Sequence, residues 1–349
     1  MQSQKPGSTC AKVGTVKKQS KSLAREVRLR TGQKVRQKEK RCKEKFENFE
    51  VAGKGHGKMK QGWLIVNGYI TNPKFLEIYR WIEEAGARKG CQIRRFGNNE
   101  MMEAVCSGKI REMERPDFVI FWDKDVRLAR LMEEEGFRLF NSAQSIAVCD
   151  DKSRTYICLK NVGISMPKTW IAPMTFAKDG YYDQTAYFEH AGKDLGYPLV
   201  LKESFGSFGG QVHLVQNEQE LKTLLPELKN RPFLLQEYIE ASKGHDIRIN
   251  MVGENPVAAM YRYNDADFRA NITNGGSMKP YEPKEAQVEL ARKVMRTLGL
   301  DFAGVDILFG EEEEPILCEV NSNAHFKNIY DCTGINVADA IISYILEQL

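Results

Sequence analysis

The chain has 349 residues, of which 42% are hydrophobic and 28% are charged, and a formal net charge of +4 at pH 7. This length accommodates two or three packed domains, and no apolar run approaches the roughly 20 residues of a membrane span. The N-terminus lacks the apolar segment of a signal peptide, so we expect a cytoplasmic protein with no membrane partner. The eight cysteines have no CxxC spacing and indicate neither a zinc site nor a disulfide framework.

The first 60 residues differ in charge from the rest of the chain. They contain 18 Lys and Arg against 5 Asp and Glu, whereas the remaining residues contain 33 against 42. Because they show little apolar periodicity, residues 1–60 are predicted to be disordered or loosely helical. A basic arm that binds RNA or the ribosome is one hypothesis. The alternative is a chain that starts at Met59, just before the apolar run Trp63–Val66.

Strand and helix patterns alternate over residues 61–149. Helical patterns cover Pro73–Ala85, Asn99–Cys106 and Val126–Gly136, and the strand patterns around them read WLIVN, CQIRRF, DFVIFW and FRLFN. Alternation of this kind predicts a parallel sheet flanked by helices. No GxGxxG follows the first strand, so a dinucleotide-binding fingerprint is absent. We expect this domain to line one wall of a substrate cleft.

Three further regions complete the chain. Residues 150–168 are predicted to form a linker helix, since an acidic start precedes residues at helical spacing. Residues 169–239 form a second αβ region. In residues 240–349 strands precede the helices, which are predicted over Lys284–Leu298, with a capping glycine after it, and over Val337–Leu349.

The segment PLVLKESFGSFGGQVHL places a lysine at the end of an apolar strand, followed by a glycine-rich loop and a second strand. Glycines let backbone N–H groups approach phosphate oxygens, and a lysine on a strand supplies a positive charge. The residues concerned are Lys202, Gly206, Gly209 and Gly210. The alternative is a hairpin with a surface lysine, and the spacing is not that of a P-loop.

Phe233–Ile239, with the sequence FLLQEYI, is predicted as a strand that ends in a polar pair. The backbone at such a strand edge can recognise adenine while apolar neighbours cover the faces of the ring. By composition alone this segment is only a strand. Its position after the lysine and the glycine-rich loop favours the nucleotide interpretation.

Two apolar runs, Ala303–Phe309 and Ile316–Asn321, flank an acidic turn-forming segment and predict an antiparallel hairpin. If the turn is symmetric, Asp306 lies opposite Glu319, and Asn321 shares the face of Glu319. Like charges across a strand pair repel, so a cation is expected between them, and oxygen ligands favour a hard ion such as Mg²⁺. The alternative is the polar, solvent-facing side of a half-exposed hairpin.

Seven motifs follow one another along the chain. In order they are Asp151–Lys152, Lys202 with its glycine loop, QEYI, GHDIRINMVG, YRYNDADFRANITNGG, AGVDIL and CEVNSN. This succession resembles the ATP-grasp superfamily, specifically its RimK-like branch of peptide-forming ligases, over about Asp150–Leu349. The resemblance implies an α/β fold that is α+β in its C-terminal part, with a parallel-sheet N-terminal domain and two αβ subdomains that enclose ATP.

The resemblance also implies roles for individual residues. Asp246 binds the ribose, and Arg269 and Asn271 reach the terminal phosphate and the acyl group. Arg262 is a further candidate for binding an anionic substrate. The resemblance implies that Lys152 and Lys202 bind the ATP phosphates and that a flap over them contains Gly206, Gly209 and Gly210. It implies an adenine hinge formed by Gln236, Glu237, Tyr238 and Ile239. The implied magnesium ligands are Asp306, Glu319 and Asn321.

Two segments depart from the better-known RimK-like pattern. The flap reads SFGGQ over Ser207–Gln211 where a TQGIG-type sequence is usual, which keeps most of the glycine content. After the metal-binding Asn the chain reads NSNAHFKN instead of an NASPG-type segment, which leaves the identity of the substrate open. His325 in this segment is either a proton acceptor or a structural residue.

The predicted function is an ATP-dependent carboxylate–amine ligase that works through an acyl phosphate with two Mg²⁺ ions, for which Mn²⁺ can substitute. It would add an amino acid such as glutamate to a peptide, a protein or an amino-acid-like acceptor. A kinase is disfavoured because HRD and DFG are missing. The alternative of another class is a non-catalytic nucleotide-binding or RNA-associated module that uses the basic tail. The sequence leaves a homo-oligomer open.

Overall fold

A computed structural model describes residues 59–181, 185–206 and 209–349, and three β-sheets organise them. The predictions for residues 1–58, including the basic arm, lie outside the described residues. The same holds for residues 207 and 208 of the predicted flap. The predicted domain boundaries stay predictions.

The first sheet is the parallel sheet that the alternating pattern predicts. Its region comprises β1 Lys60–Val66, α1 Pro73–Arg88, β2 Cys91–Gly97, α2 Asn98–Cys106, β3 Phe118–Trp122, α3 Val126–Glu134, β4 Leu139–Phe140 and α4 Ala143–Asp150. The strand order is β2-β1-β3-β4, and hydrophobic clusters cover both faces, so β3 is buried at every position. The carboxyl ends of β1 and β3 bring Asn67 and Asp123 within hydrogen-bond distance.

The predicted linker helix begins later than expected. Asp150 ends α4, and the next helix, α5, covers Lys152–Leu159. Asp151 between them has an extended backbone, with φ −106° and ψ 105°, and its side chain accepts hydrogen bonds from two N–H groups of the first turn. The helix predicted after an acidic start is therefore present, with Asp151 as its N-cap, and it covers Lys152–Leu159 of the predicted linker.

The second sheet is antiparallel and carries the predicted lysine and glycine loop. Its elements are β5 Thr169–Ile171, α6 Ala186–Leu195, β6 Leu199–Glu203, β7 Val212–Val215, α7 Glu218–Leu228 and β8 Phe233–Glu237. The strand order is β5-β8-β6-β7, which places Lys202 near the end of an inner strand. The glycine loop connects β6 to β7, as the sequence pattern predicts.

The third sheet is also antiparallel. Its elements are β9 His245–Val252, β10 Asn255–Tyr263, β11 Ser277–Pro280, α8 Glu285–Leu298, β12 Phe302–Phe309, β13 Pro315–Asn321, α9 Lys327–Thr333 and α10 Val337–Glu347. Gly299 caps α8 with φ 62°, in the left-handed region that favours glycine, as predicted. In the strand order β11-β10-β9-β12-β13, β9 is central, so side chains from β9, β10 and β12 meet on one face.

The predicted hairpin is formed by β12 and β13, and Asp306 pairs with Glu319 as expected. A symmetric turn does not produce this pairing. Ile307 pairs with Leu317, so the register shifts by one residue between this pair and the pair of Asp306 with Glu319. The shift leaves Cys318 as the extra residue of a β-bulge. The turn is therefore not symmetric about the assumed centre, and the bulge restores the pairing of the two carboxylates.

The first and third sheets share one hydrophobic core, in which Ile78 and Ile82 of α1 cluster with Ile342 of α10. Asn141, which is fully buried after β4, adds a polar link between them. It donates to the carbonyls of Phe302 and Ser322 at 2.9 and 3.0 Å, and it accepts from the N–H groups of residues 301 and 302. This contact holds the start of β12 and the end of the hairpin against the first sheet.

The helices of the described ranges were compared with the length and apolar character of a membrane span. No single helix there is both long and apolar enough to cross a bilayer. Helices α9 and α10 meet the length and composition test as a pair, but they are bent by 113° at their junction.

Candidate functional site

A cleft of about 930 Å³, which we call the first cavity, lies between the second and third sheets. Of the predicted site residues only Gly210 and Asn321 do not line it. Those that do are Lys152, Lys202, Gly206, Gly209, Gln236, Glu237, Tyr238, Ile239, Asp246, Arg262, Arg269, Asn271, Asp306 and Glu319.

Two lysines supply the positive charge at one end of the first cavity. Lys152 donates to the carbonyl of Gly206 at 3.2 Å and lies 3.5 Å from a carboxylate oxygen of Glu319. The Nζ of Lys202 lies 3.9 Å from Sγ of Cys318, and no described carboxylate lies within 4 Å of it. Two ammonium groups with few protein partners suit the oxygens of a phosphate chain.

The glycine loop is held over the first cavity by Arg269. This side chain forms an ion pair with Asp267 and also donates from Nη1 to the carbonyl of Gly209 at 2.6 Å. Gly209 has φ 73°, and a Cβ there would lie 3.1 Å from Oδ1 of Asn271, so the loop approaches closely only with glycine at this position. The structure therefore places Arg269 against the loop. Its predicted role at the terminal phosphate stays a prediction.

The predicted adenine hinge comprises the last two residues of β8 and the two residues that follow it. Gln236 is buried, and its side chain donates to Oγ1 of Thr169 at 2.9 Å, which fixes the end of the strand. Apolar side chains of Val200, Leu308 and Phe268 line the same cavity. This part of the cavity is suited to a flat apolar ring that also meets exposed backbone groups.

A chain of buried ion pairs runs across the three strands that meet at the first cavity. Arg248 on β9 pairs with Asp306 on β12, and Arg262 on β10 pairs with Asp246 on β9, in both cases through two contacts of 2.6 Å. Arg262 also lies 3.1 Å from Asp306 and therefore joins the two pairs. The strand register explains the arrangement, since each pair stands directly across a ladder.

The ion pairs set the charge of the buried carboxylates. Burial raises the pKa of Asp306, but the guanidinium groups of Arg248 and Arg262 outweigh it and hold that pKa below its ordinary value. The pKa of Asp246 is raised by burial, which its pairing with Arg262 only partly offsets. Arg262 donates to both carboxylate oxygens of Asp246. The predicted role of Asp246 in binding ribose and that of Arg262 in binding an anionic substrate therefore stay predictions.

Arg248 is a site residue that the sequence analysis missed. Its position two residues after Asp246 puts both side chains on one face of β9, which was a usable signal. Its partner Asp306 lies 58 residues further along the chain. Only the pairing of β9 with β12 brings the two together, and no local pattern predicts that pairing.

The predicted magnesium ligands are only partly free. Among the described residues no group of three or more His, Cys, Asp or Glu is arranged to hold a metal ion, so the predicted set consists of two carboxylates and an amide. Glu319 is partly exposed, and the amide of Asn321 has a buried Nδ2 without a partner among the described residues. Asp306 has to exchange a guanidinium to bind a cation. The oxygen donors fit a hard ion such as Mg²⁺, and the assignment stays a prediction.

A larger space of about 1,290 Å³, the second cavity, lies between the carboxyl ends of the first sheet and the segment after β13. It meets the first cavity at three shared residues, Gly206, Asn271 and Glu319. Its lining also includes Asn321, Asn323 and His325, each of which has a buried side-chain polar atom with no partner in the described part of the chain. Groups of this kind converge where a polar ligand is bound.

His325 lies in the wall of the second cavity, with its ring 4.9 Å from that of Phe75. Burial lowers the pKa of His325, although a hydrogen bond with the backbone of Lys74 opposes the shift. The imidazole is therefore neutral near pH 7. Both hypotheses for this residue, proton acceptor and structural side chain, are compatible with its position.

A family model and two named relatives each match more than half of the chain. The family model described as the RimK-like ATP-grasp domain matches residues 149–345. The ribosomal protein bS6–L-glutamate ligase of Escherichia fergusonii is 34% identical over 219 residues, which are 62% of this chain and 70% of that protein. N-acetylaspartylglutamate synthase A of Homo sapiens is 31% identical over 229 residues, which are 65% of this chain and 57% of that protein.

A similar fold occurs among solved structures. The crystal structure of a RimK domain ATP-grasp protein from Sphaerobacter thermophilus has a TM-score of 0.61 with this chain at 19% sequence identity. The similarity covers 81% of this chain and 98% of that protein, so it extends beyond the segment that matches the family model.

Proposed function

Because this chain belongs to the RimK-like ATP-grasp family, we propose that it joins a carboxylate to an amine through an acyl phosphate. The predicted ATP-grasp fold is confirmed by the likeness to a solved ATP-grasp structure. The predicted class, an ATP-dependent carbon–nitrogen ligase, is confirmed by the family and by relatives named as ligases and synthases. The observation that carries the finer proposal is the junction of the two cavities at Gly206, Asn271 and Glu319.

The proposed reaction has two steps. A carboxylate oxygen of one substrate attacks the terminal phosphorus of ATP, the bond from that phosphorus to the bridging oxygen breaks, and ADP leaves. The nitrogen of the amine then attacks the acyl carbon, the bond to the phosphate oxygen breaks, and phosphate and a proton are released. In the first step two negatively charged reactants approach one another, and in the second a charged phosphate leaves. Fixed positive groups lower the barrier of both steps.

The residues of this chain supply those groups. Lys152 and Lys202 hold the ATP phosphates in the first cavity, and Arg269 keeps the glycine loop closed through Gly209, which excludes water from the acyl phosphate. Arg248 and Arg262 neutralise the buried carboxylates beneath, which would otherwise repel the phosphates. The carboxylate substrate reaches the terminal phosphate of ATP from the second cavity.

Two Mg²⁺ ions, for which Mn²⁺ can substitute, are part of the proposal, and Asp306, Glu319 and Asn321 would hold them. When bound, such ions neutralise the phosphate charge and favour its transfer. The support within this chain is the set of oxygen donors on the two sides of the junction of the cavities.

Glutamate is the proposed amino-acid substrate, with a peptide, a protein or an amino-acid-like compound as acceptor. The support is the names of two relatives, one an L-glutamate ligase and the other a synthase of N-acetylaspartylglutamate. The second cavity, with its polar groups at the junction and apolar side chains beyond, accommodates a small polar substrate attached to a larger group.

The experiment is an assay of ADP formation by the full chain with ATP and MgCl₂. Each amino acid is supplied alone and in pairs with carboxylates such as N-acetylaspartate, citrate and short acidic peptides, and products are identified by mass spectrometry. We expect ADP formation that requires both substrates and a product heavier by one amino acid minus water. ADP formation that is independent of any added amine, without an amide product, would contradict the proposal.

A further inference from the structure

The second cavity contains a buried carboxylate without a cationic partner. Asp123 follows β3, is 8% exposed and lines the cavity. Its carboxylate accepts hydrogen bonds from Nδ2 of Asn67, at 3.3 and 3.5 Å, and from the N–H of Lys124 at 2.7 Å. No Lys, Arg or His of the described residues forms an ion pair with it within 4 Å, although the charge of the neighbouring Lys124 partly offsets the effect of burial on its pKa. The two weak amide contacts and one backbone contact leave much of its acceptor capacity unused.

The other buried acids at the site are balanced by the protein itself. Asp246 and Asp306 each receive two short contacts from a guanidinium group. A buried carboxylate that lacks such a partner is costly to ionise, and burial accordingly raises the pKa of Asp123. Asp123 lines the open second cavity, so a cation bound there would stabilise its ionised form.

The surroundings of Asp123 fit a cation attached to an organic group. Nδ2 of Asn323 donates to the backbone carbonyl of Asp123 at 2.6 Å, while Oδ1 of Asn323 is buried without a partner among the described residues. Asn323 is thus held against the backbone of Asp123, in the wall of the same cavity. Phe75, Tyr79 and Trp122 line the same cavity and offer an apolar surface. An ammonium group has three N–H donors, which can be shared between a carboxylate and an amide oxygen.

We propose that Asp123 binds the ammonium group of the amine substrate, with Oδ1 of Asn323 as a second acceptor. The substrate class is therefore a primary amine that enters the second cavity as a cation, such as an amino acid, and a compound with a hydroxyl in place of the ammonium is discriminated against. This assignment rests on the proposed ligase function, since it names the site of one of its two substrates. Asn67 orients the carboxylate of Asp123 through its side-chain amide.

The test is a calorimetric titration of the full chain, in the presence of ATP analogue and MgCl₂, with each of the twenty amino acids and with the matching 2-hydroxy acid. In each pair the ammonium is replaced by a hydroxyl and the rest of the molecule is unchanged. We expect at least one amino acid to bind about 30-fold or more tightly than its hydroxy acid, the scale of a buried charge contact. In Asp123→Asn this preference is lost, while the hydroxy acid and the ATP analogue bind as in the wild type.

A control is Glu311→Gln, because Glu311 is an exposed carboxylate in the hairpin loop that does not line the second cavity. This variant is expected to keep the preference for the amino acid. Equal binding of every amino acid and its hydroxy acid in the wild type would overturn the ammonium site, as would an unchanged preference in Asp123→Asn with a normal thermal melt. ADP formation is measured in parallel: its absence contradicts the ligase proposal, while the binding comparison decides the ammonium site independently.

Discussion

The two cavities of this protein satisfy their polar groups in opposite ways. In the first, Arg262 pairs with both Asp246 and Asp306, and all three are almost completely buried, while Asp306 also pairs with Arg248, which lines the second cavity. In the second, Asp123 has no cationic partner, and Asn321, Asn323 and His325 carry buried polar atoms without partners among the described residues. The buried carboxylates of the first cavity therefore have partners within the protein, whereas we propose that a ligand completes the polar groups of the second.

Breaking the ion-pair chain should have the largest effect. In Arg262→Met the carboxylate of Asp246 loses both of its short contacts and remains buried, so we expect the free energy of unfolding to fall by about 3–5 kcal/mol. Urea denaturation followed by circular dichroism measures the loss. Arg296→Met, at an exposed ion pair on α8, serves as control and should change little. A loss in Arg262→Met no larger than in this control would mean that the pairs do not organise the first cavity.

At the junction of the cavities we expect a large effect on turnover without a loss of stability. Glu319→Ala should lower the rate of amine-dependent ADP formation by at least about 10²-fold, the scale of removing a preorganised charged group. The thermal melt should stay unchanged, because Glu319 is partly exposed. Glu311→Gln, in the exposed hairpin loop, is the control. Full activity of Glu319→Ala at ordinary Mg²⁺ concentration would remove Glu319 from the metal site.

A smaller effect is expected for nucleotide binding alone. Lys202→Ala removes an ammonium group that no described carboxylate neutralises, so ATP affinity measured by calorimetry should fall by about tenfold or more. Lys202→Arg should restore only part of it, because the two side chains place their charge differently. Lys193→Ala on the exposed side of α6 is the control. Unchanged ATP affinity in Lys202→Ala would mean that Lys202 does not bind the ATP phosphates and is a surface lysine of a hairpin.

Outside both cavities, Asp301 provides a measure of what an uncompensated buried carboxylate costs. Burial raises the pKa of Asp301 to about 6, although the hydroxyl of Tyr344 donates to it at 3.1 Å. The folded protein thus binds the proton more tightly than the unfolded chain, whose Asp has a pKa of about 3.9, so stability falls as pH rises from about 4 to 6. Asp301→Asn should be more stable than wild type at pH 8, by about 2 kcal/mol, and equal at pH 4.

The reference for this comparison is Asp339→Asn, since Asp339 is exposed and paired with Arg88. Urea denaturation at both pH values gives the difference for each variant. A gain in stability for Asp301→Asn that is the same at pH 4 and pH 8 would show that packing, and not the charge of Asp301, is responsible.

The elements that could be predicted from the sequence are those that depend on local spacing. The lysine at the end of β6, its glycine loop and the antiparallel hairpin each occupy one continuous segment, so their pattern is visible without knowledge of the fold. The partner of Arg248 and the surroundings of Asp123 could not be found in this way, although the spacing of Arg248 from Asp246 was a usable signal. Arg248 acquires its role from the pairing of β9 with β12, and Asp123 acquires its role from the parallel arrangement of β1 and β3.

The bulge at Cys318 also has a consequence for chain length. In a regular strand consecutive side chains face opposite sides, yet Cys318 and Glu319 both line the first cavity because the bulge turns one of them. Loss of a residue from an ordinary strand position would rotate everything after it to the opposite face. Loss of Cys318 would instead convert the hairpin to a regular ladder in which Asp306 still faces Glu319. We therefore expect the hairpin to tolerate the deletion of Cys318, whereas deletion of a residue from a regular part of the strand would reverse the faces.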